Sequence, residues 1–159
     1  MVAGNNGKQR GATMELNSME DFSRDLRYHV RRNDEGQIIL TAHLLDCFHD
    51  VRMEIITNYE DLAIVAAKVD FIRHPSPDCP HVAVRMERLI GFVIGKGLNR
   101  KVQEAFGGSE GCGNLRVMLF GLLPLALNVK AASGYRDNQE LLDGIGRQLA
   151  GSCGGYIKR

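Results

Sequence analysis

The sequence predicts an α+β fold: an antiparallel four-stranded meander followed by three to four helices packed on one face. Two observations carry this. Four runs between Phe22 and Ile72 alternate apolar and polar residues, the period of half-buried strands. Beyond His74 the apolar spacing lengthens to three and four residues, the period of helices. Short turns separate the strand runs, so strands adjacent in sequence pair in space, and helices placed after the sheet are expected to cover one of its faces.

In the first run, Phe22 to Arg32, residues Phe22, Arg24, Leu26, Tyr28 and Val30 share a face. Asn33-Asp34-Glu35-Gly36 is a turn cluster whose glycine can take positive φ, and Gln37 to Leu45 returns the chain. Val51 to Thr57 alternates again. After a turn at Asn58-Tyr59-Glu60-Asp61, Leu62 to Ile72 forms the fourth strand, with Ala63, Val65, Ala67, Val69 and Phe71 on one face; its Val and Ile content favours strand over helix. Pro75 and Pro77 end that strand, Asp78 is placed to cap a helix with Pro80 in its first turn, and Val82, Met86, Leu89 and Ile90 recur at helical spacing. Asn99 caps a second helix bearing Val102 and Phe106, which Gly107-Gly108 stops. From Gly113 to about Ala132 a long apolar helix is expected, central because it is apolar nearly all round. Gln139 to Leu149 reads as a short final helix.

A chain of 159 residues is one domain long and buries a core without disulfides. The expected organisation is a disordered arm over residues 1–21, a single domain over 22–150 and a flexible tail over 151–159. Residues 20 basic and 19 acidic leave a net charge of +1, which argues against a nucleic-acid surface or a polybasic membrane patch. The first residues lack the apolar core of a signal peptide, and the most apolar stretch, Val117 to Val129, is too short to span a bilayer and contains Pro124. A cytoplasmic location with no membrane partner is therefore expected, with the four cysteines reduced.

Three clusters hold side chains capable of ligation or nucleophilic attack: His43, Asp46, Cys47, His49 and Asp50 after the second strand; His74, Asp78, Cys79 and His81 in the loop that opens the helical half; and Cys112 at the start of the long helix. In a meander, the second turn and the exit of the fourth strand lie at one end of the sheet. Cys79 and Cys112 stand at helix starts, where backbone N–H groups favour a thiolate. The expected site is accordingly His49, Asp50, Cys79 and Cys112, with His81 or Cys47 supporting, a donor set that suits Zn or Fe. Against it stands the spacing. No Cys-x-x-Cys or His-Glu-x-x-His pair occurs, and a single cysteine usually just packs. Gly107 to Gly111 precedes a helix but lacks the Lys-Ser/Thr of a phosphate loop, and Ser133 and Ser152 have no nucleophile-elbow context.

The stretch from about Phe22 to Ala132 resembles the bacterial domain-of-unknown-function family numbered 2889, on His49-Asp50 leading into Val51-Arg52-Met53, on Pro77-Asp78-Cys79-Pro80, on Leu89-Ile90-Gly91 with Ile94 to Leu98, and on Gly107 to Leu115. The resemblance implies no activity. The family's last motif usually looks like Gly-Cys-Thr-His-Leu; here Gly113 and Asn114 stand in place of Thr and His, and Asn114 takes no proton at neutral pH. The order of strands, Cys loop and Gly-Cys helix start is also similar to iron–sulfur scaffold proteins, with Cys47, Cys79, Cys112 and Asp50 the analogous set.

Three functions compete at this point. One is metal, cluster or sulfur handling at the His49–Asp50–Cys79–Cys112 site. The second is a non-catalytic module that binds a small molecule or a protein and whose cysteines are structural. The third is an enzyme with Cys112 as nucleophile and His49 or His81 as base. The apolar helix also offers a surface for a homo-oligomer.

Overall fold

The computed structural model describes residues 21–148, 150–151 and 154–157. Four strands, β1 (Arg24–Arg32), β2 (Gln37–Asp46), β3 (Asp50–Asn58) and β4 (Ile64–Arg73), form one antiparallel sheet in the order β1-β2-β3-β4. A 3-10 segment follows (Cys79–Leu89), then four helices, α1 (Leu98–Phe106), α2 (Gly113–Leu122), α3 (Leu125–Ala132) and α4 (Asn138–Gln148). The fold is α+β as expected, with each strand within two residues of its sequence-based bounds. The expected arm falls almost wholly outside the described residues, as does Cys153 of the expected tail.

Hairpin register follows from the turns. Gly36 takes φ +72°, and Asn33 Oδ1 accepts from the backbone N–H groups of Glu35 and Gln37, which fixes the first turn. With that turn set, Arg24 pairs with Asp46, Tyr28 with Ala42 and Val30 with Leu40. Strand alternation then sends Ile38, Leu40, Ala42 and Leu44 of β2 and Val51, Met53 and Ile55 of β3 to one face, all buried. Leu26, Tyr28 and Val30 pack at the edge of the same core.

The fourth strand departs from expectation at its start. A bulge lies between the pairs Ile56–Ala66 and Thr57–Ile64, adding one residue on β4 and reversing the faces on either side of it. Ile64 is therefore buried and Val65 exposed, whereas Val69 keeps the expected inward position. Leu62, in the preceding turn, is buried at φ +58°, a left-handed conformation costly for a branched residue and held here by bonds to Asn58 and Ile94.

The helical half carries three corrections. Cys79–Leu89 winds with three residues per turn, so Ala83, Met86 and Leu89 form its inward row, and Ile90 lies outside it in extended backbone, half exposed. Asp78 occupies the capping position without a side-chain bond, and the cap of α1 is Gly97 at φ +86° rather than Asn99. The expected long helix is two, α2 and α3. Pro124 has no N–H to donate, and the joint tightens to i→i+3 bonds from Ala126 to Leu123 and from Leu127 to Pro124. Together, Gly113–Ala132 is long and apolar enough by composition to cross a membrane, but Leu115, Met118, Leu119, Leu122, Leu123 and Ala126 are buried in the domain core. Its outer side is not buried: Val117, Phe120 and Leu127 are exposed.

Helices α2 and α3 lie on β1 and β2, the 3-10 segment lies on β4, and α1 joins them. One sheet face is thereby covered. The other, lined by the alternate residues of every strand, is left open by the described elements.

Candidate functional site

At the end of the β2–β3 hairpin the chain builds a closed polar ring. Asp46 ends β2 on the covered face, and its side chain is fully buried. Its Oδ1 accepts from the backbone N–H groups of Phe48 and His49, both at 2.8 Å, and from His49 Nδ1 at 2.9 Å. Its Oδ2 accepts from Arg24 Nε and Nη2, each at 2.7 Å. Burial pushes the carboxyl pKa of Asp46 up, but the hydrogen bonds from His49, Phe48 and Arg24 outweigh it and hold the group at about 2. Phe22 stacks on Phe48 with centroids 6.2 Å apart, and Arg24 lies over Phe22, so an aromatic pair borders the charged one.

The ring closes through Asn114, in the first turn of α2. Arg24 Nη1 donates to Asn114 Oδ1 at 3.0 Å, and Asn114 Nδ2 lies 3.0 Å from His49 Nε2. Guanidinium nitrogens only donate, so the amide oxygen faces Arg24 and the NH2 faces His49. Nε2 of His49 is therefore the acceptor, and Nδ1 carries the proton shared with Asp46. Arg73 on β4 adds a bond to the Asp46 carbonyl at 2.5 Å. Residues of β1, β2, β4 and α2 thus meet on one turn.

A second His–Asp pair lies on the opposite face. His43 Nε2 and Asp50 Oδ1 are 2.8 Å apart, and Arg52 Nε is 3.9 Å from the same carboxylate oxygen. Alternation explains the division. Asp46 and His49 serve the covered side, whereas His43 and Asp50 serve the open side.

This geometry bears directly on the expected metal site. His49 and Asp50 are consecutive, and each is committed to a different partner on a different face. Among the described residues, no group of three or more His, Cys, Asp or Glu side chains is placed to hold a metal ion. His49, Asp50, Cys79 and Cys112 therefore do not gather into a shell for Zn or Fe. Cys47, Cys79 and Cys112 are free, half-buried thiols, and Cys112 packs against the hydrophobic core. The second cluster is dispersed: His81 and Asp78 are more than four-fifths exposed and 3.9 Å apart, while His74 Nδ1 donates to the Ser76 carbonyl at 2.6 Å and its ring meets Phe71 edge-on.

Three residues of the ring escaped selection from the sequence. In the sequence Asp46 is one of two carboxylates in the first cluster, Arg24 is one residue of a strand face, and Asn114 stands out only as a departure from a motif. The hairpin register carries the missing signal: a turn centred on Glu35 sets Arg24 opposite Asp46.

The open face is a lattice of polar side chains in register. One row runs Arg27, His43, Arg52, Asp70; the next runs His29, Thr41, Glu54, Lys68. These eight line a shallow concavity of about 500 Å³. Lys68 pairs with Glu54 at 3.2 Å.

A four-stranded antiparallel sheet with helices on one face, a polar ring locking its β2–β3 turn and a concave free face defines a two-layer α+β domain. The chain belongs to the family described as protein of unknown function, DUF2889, whose match spans residues 22–127. No curated protein and no solved structure gives a match.

Proposed function

We propose that this domain is a non-catalytic binding module whose open sheet face receives a small polar ligand. The observation that carries the reading is the concavity of about 500 Å³ lined by side chains of all four strands. Its size is that of small-molecule sites, and its floor is regular β-structure, which holds side chains in fixed mutual positions.

The polar ring supports the same reading from the other side. Nε2 of His49, the nitrogen a general base would use, already accepts from Asn114, and the His49 side chain is only 15% exposed. Every member of the ring is spent on another member. Such a group stiffens the end of the hairpin rather than waiting for a substrate. The thiols do not converge with it, which takes away the support for metal or sulfur handling.

Isotope-labelled protein titrated with citrate, pyrophosphate, spermidine and glucose tests the proposal. Amide shifts localised to β1–β4 residues of the open face with at least one compound are expected. Shifts absent with all four, or confined to the helical side, would overturn it.

A further inference from the structure

The open face is not electrically uniform, and its unevenness identifies a ligand class. On the β3–β4 half most of the charges are paired within the sheet: Glu54 with Lys68 at 3.2 Å, and Asp50 with His43 at 2.8 Å and Arg52 at 3.9 Å. Asp70, in register with Arg52, makes no ion pair among the described residues. Beside it, on β1 and β2, Arg27 pairs in register with His43 and His29 with Thr41. The four side chains stand at the corners of a rectangle about 5 Å across the strands and about 7 Å along them. No corner carries a carboxylate. Among the described residues, the side chains of Arg27 and His29 have no ion-pair or hydrogen-bond partner. Of the carboxylates bordering the rectangle, Asp50 and Glu54 are already engaged, and Asp25 stands two residues from Arg27 on the outward face of β1.

We infer that this rectangle of Arg27, His29, Thr41 and His43 is an oxyanion subsite, and that the module's ligand is a small molecule bearing a phosphate group. A tetrahedral oxyanion presents several acceptor oxygens over a span of a few ångströms, and the rectangle offers the Arg27 guanidinium fork and the His29 imidazole around such a span. The Thr41 hydroxyl is turned to the His29 carbonyl at 3.4 Å, and His43 Nε2 is held by Asp50 at 2.8 Å. The remaining concavity, floored by Arg52, Glu54 and Lys68, takes the rest of the molecule. A nucleic-acid strand is a poorer match. The outward positions of β1 and β2 hold no Phe or Tyr on which bases stack, since Tyr28 faces the core.

The inference rests on the open face being the binding surface, and the test separates the two. Inorganic phosphate and pyrophosphate are titrated into labelled wild-type protein, Arg27→Gln and Arg88→Gln, with spermidine and glucose as non-anionic probes. Arg27 is exposed, so its replacement leaves the fold intact, as the unperturbed remainder of the spectrum checks. Pyrophosphate is expected to shift β1 and β2 amides around the rectangle. Its affinity should fall about tenfold in Arg27→Gln and stay unchanged in Arg88→Gln, which lies on the helical side. Equal affinity in wild type and Arg27→Gln, or shifts away from β1 and β2, would overturn the oxyanion subsite. If spermidine or glucose shifts the open face while both phosphates do not, the subsite fails and the binding module stands.

Discussion

Asp46 concentrates more of this domain's organisation than any other side chain. A carboxylate with no exposed surface is costly to bury, and it is tolerable only because five N–H donors point at its two oxygens. The sign of its contribution follows from the direction of the shift. The folded pKa, about 2, lies below the ordinary 3.8, so the folded state binds this proton less readily than the unfolded chain. The stabilisation is thus complete above pH ~4 and is lost as the pH falls from there towards 2; the shift corresponds to about 2 kcal/mol. Urea unfolding measured between neutrality and acid should show that slope in the wild type. In Asp46→Ala the slope at low pH should be shallower and the stability at neutral pH lower by about 3 kcal/mol, because Arg24 and His49 are left without their acceptor. Parallel pH profiles for the two proteins would show that the ring contributes nothing.

At the scale of elements, the strands were legible because alternation and turn chemistry agree along the whole first half. Asn33 to Gly36 marks the first hairpin, and apolar residues at every second position fix which face is buried. The bulge in β4 was not legible. A single extra residue leaves composition unchanged and reverses the faces only before it, so Val65 reads as inward although it points outward. The 3-10 segment and the α2–α3 joint were half legible. Ala83, Met86 and Leu89 satisfy a three-residue period as well as a helical one, and Pro124 was visible without showing that its missing N–H divides the helix. The division of the first side-chain cluster between two faces was illegible for a related reason. Clustering residues by closeness in sequence ignores that neighbours on a strand face opposite ways, which parts His49 from Asp50. Gly121 shows how closely the two layers fit. A Cβ there would overlap the hydroxyl and ring of Tyr28, whose hydroxyl donates to the Val117 carbonyl at 3.2 Å. Gly121→Ala should therefore force α2 away from β1 and lower stability by about 1–3 kcal/mol despite the better helix propensity of alanine. Thermal unfolding reads this directly, and a gain in stability would mean that Tyr28 rotates away at no cost.

At the scale of the whole molecule, the question is where the cooperative unit ends. The core is continuous from β2 through the 3-10 segment, α1 and α2 to Ala126 of α3. Beyond it, Lys130 reaches the Glu60 carbonyl and Ser133 Oγ meets the Tyr59 hydroxyl, which fasten the end of α3 to the β3–β4 turn. Helix α4 is different. Its clearest links are to residues next to it: Arg136 with Glu140, Glu140 with Asp137, and Gly144 beneath Tyr135. Among the described residues it does not pack at length on the sheet or on another helix, and Leu142 is 60% exposed. We expect the independently folding unit to end at the close of α3, short of the residue 150 boundary expected from the sequence. A chain ending at Gly134 should unfold in one transition, with a stability within about 1 kcal/mol of the full chain and unchanged amide positions across the open face. Loss of cooperative unfolding on that truncation would place α4 within the core-forming unit, with contacts that stabilise the sheet from beyond α3.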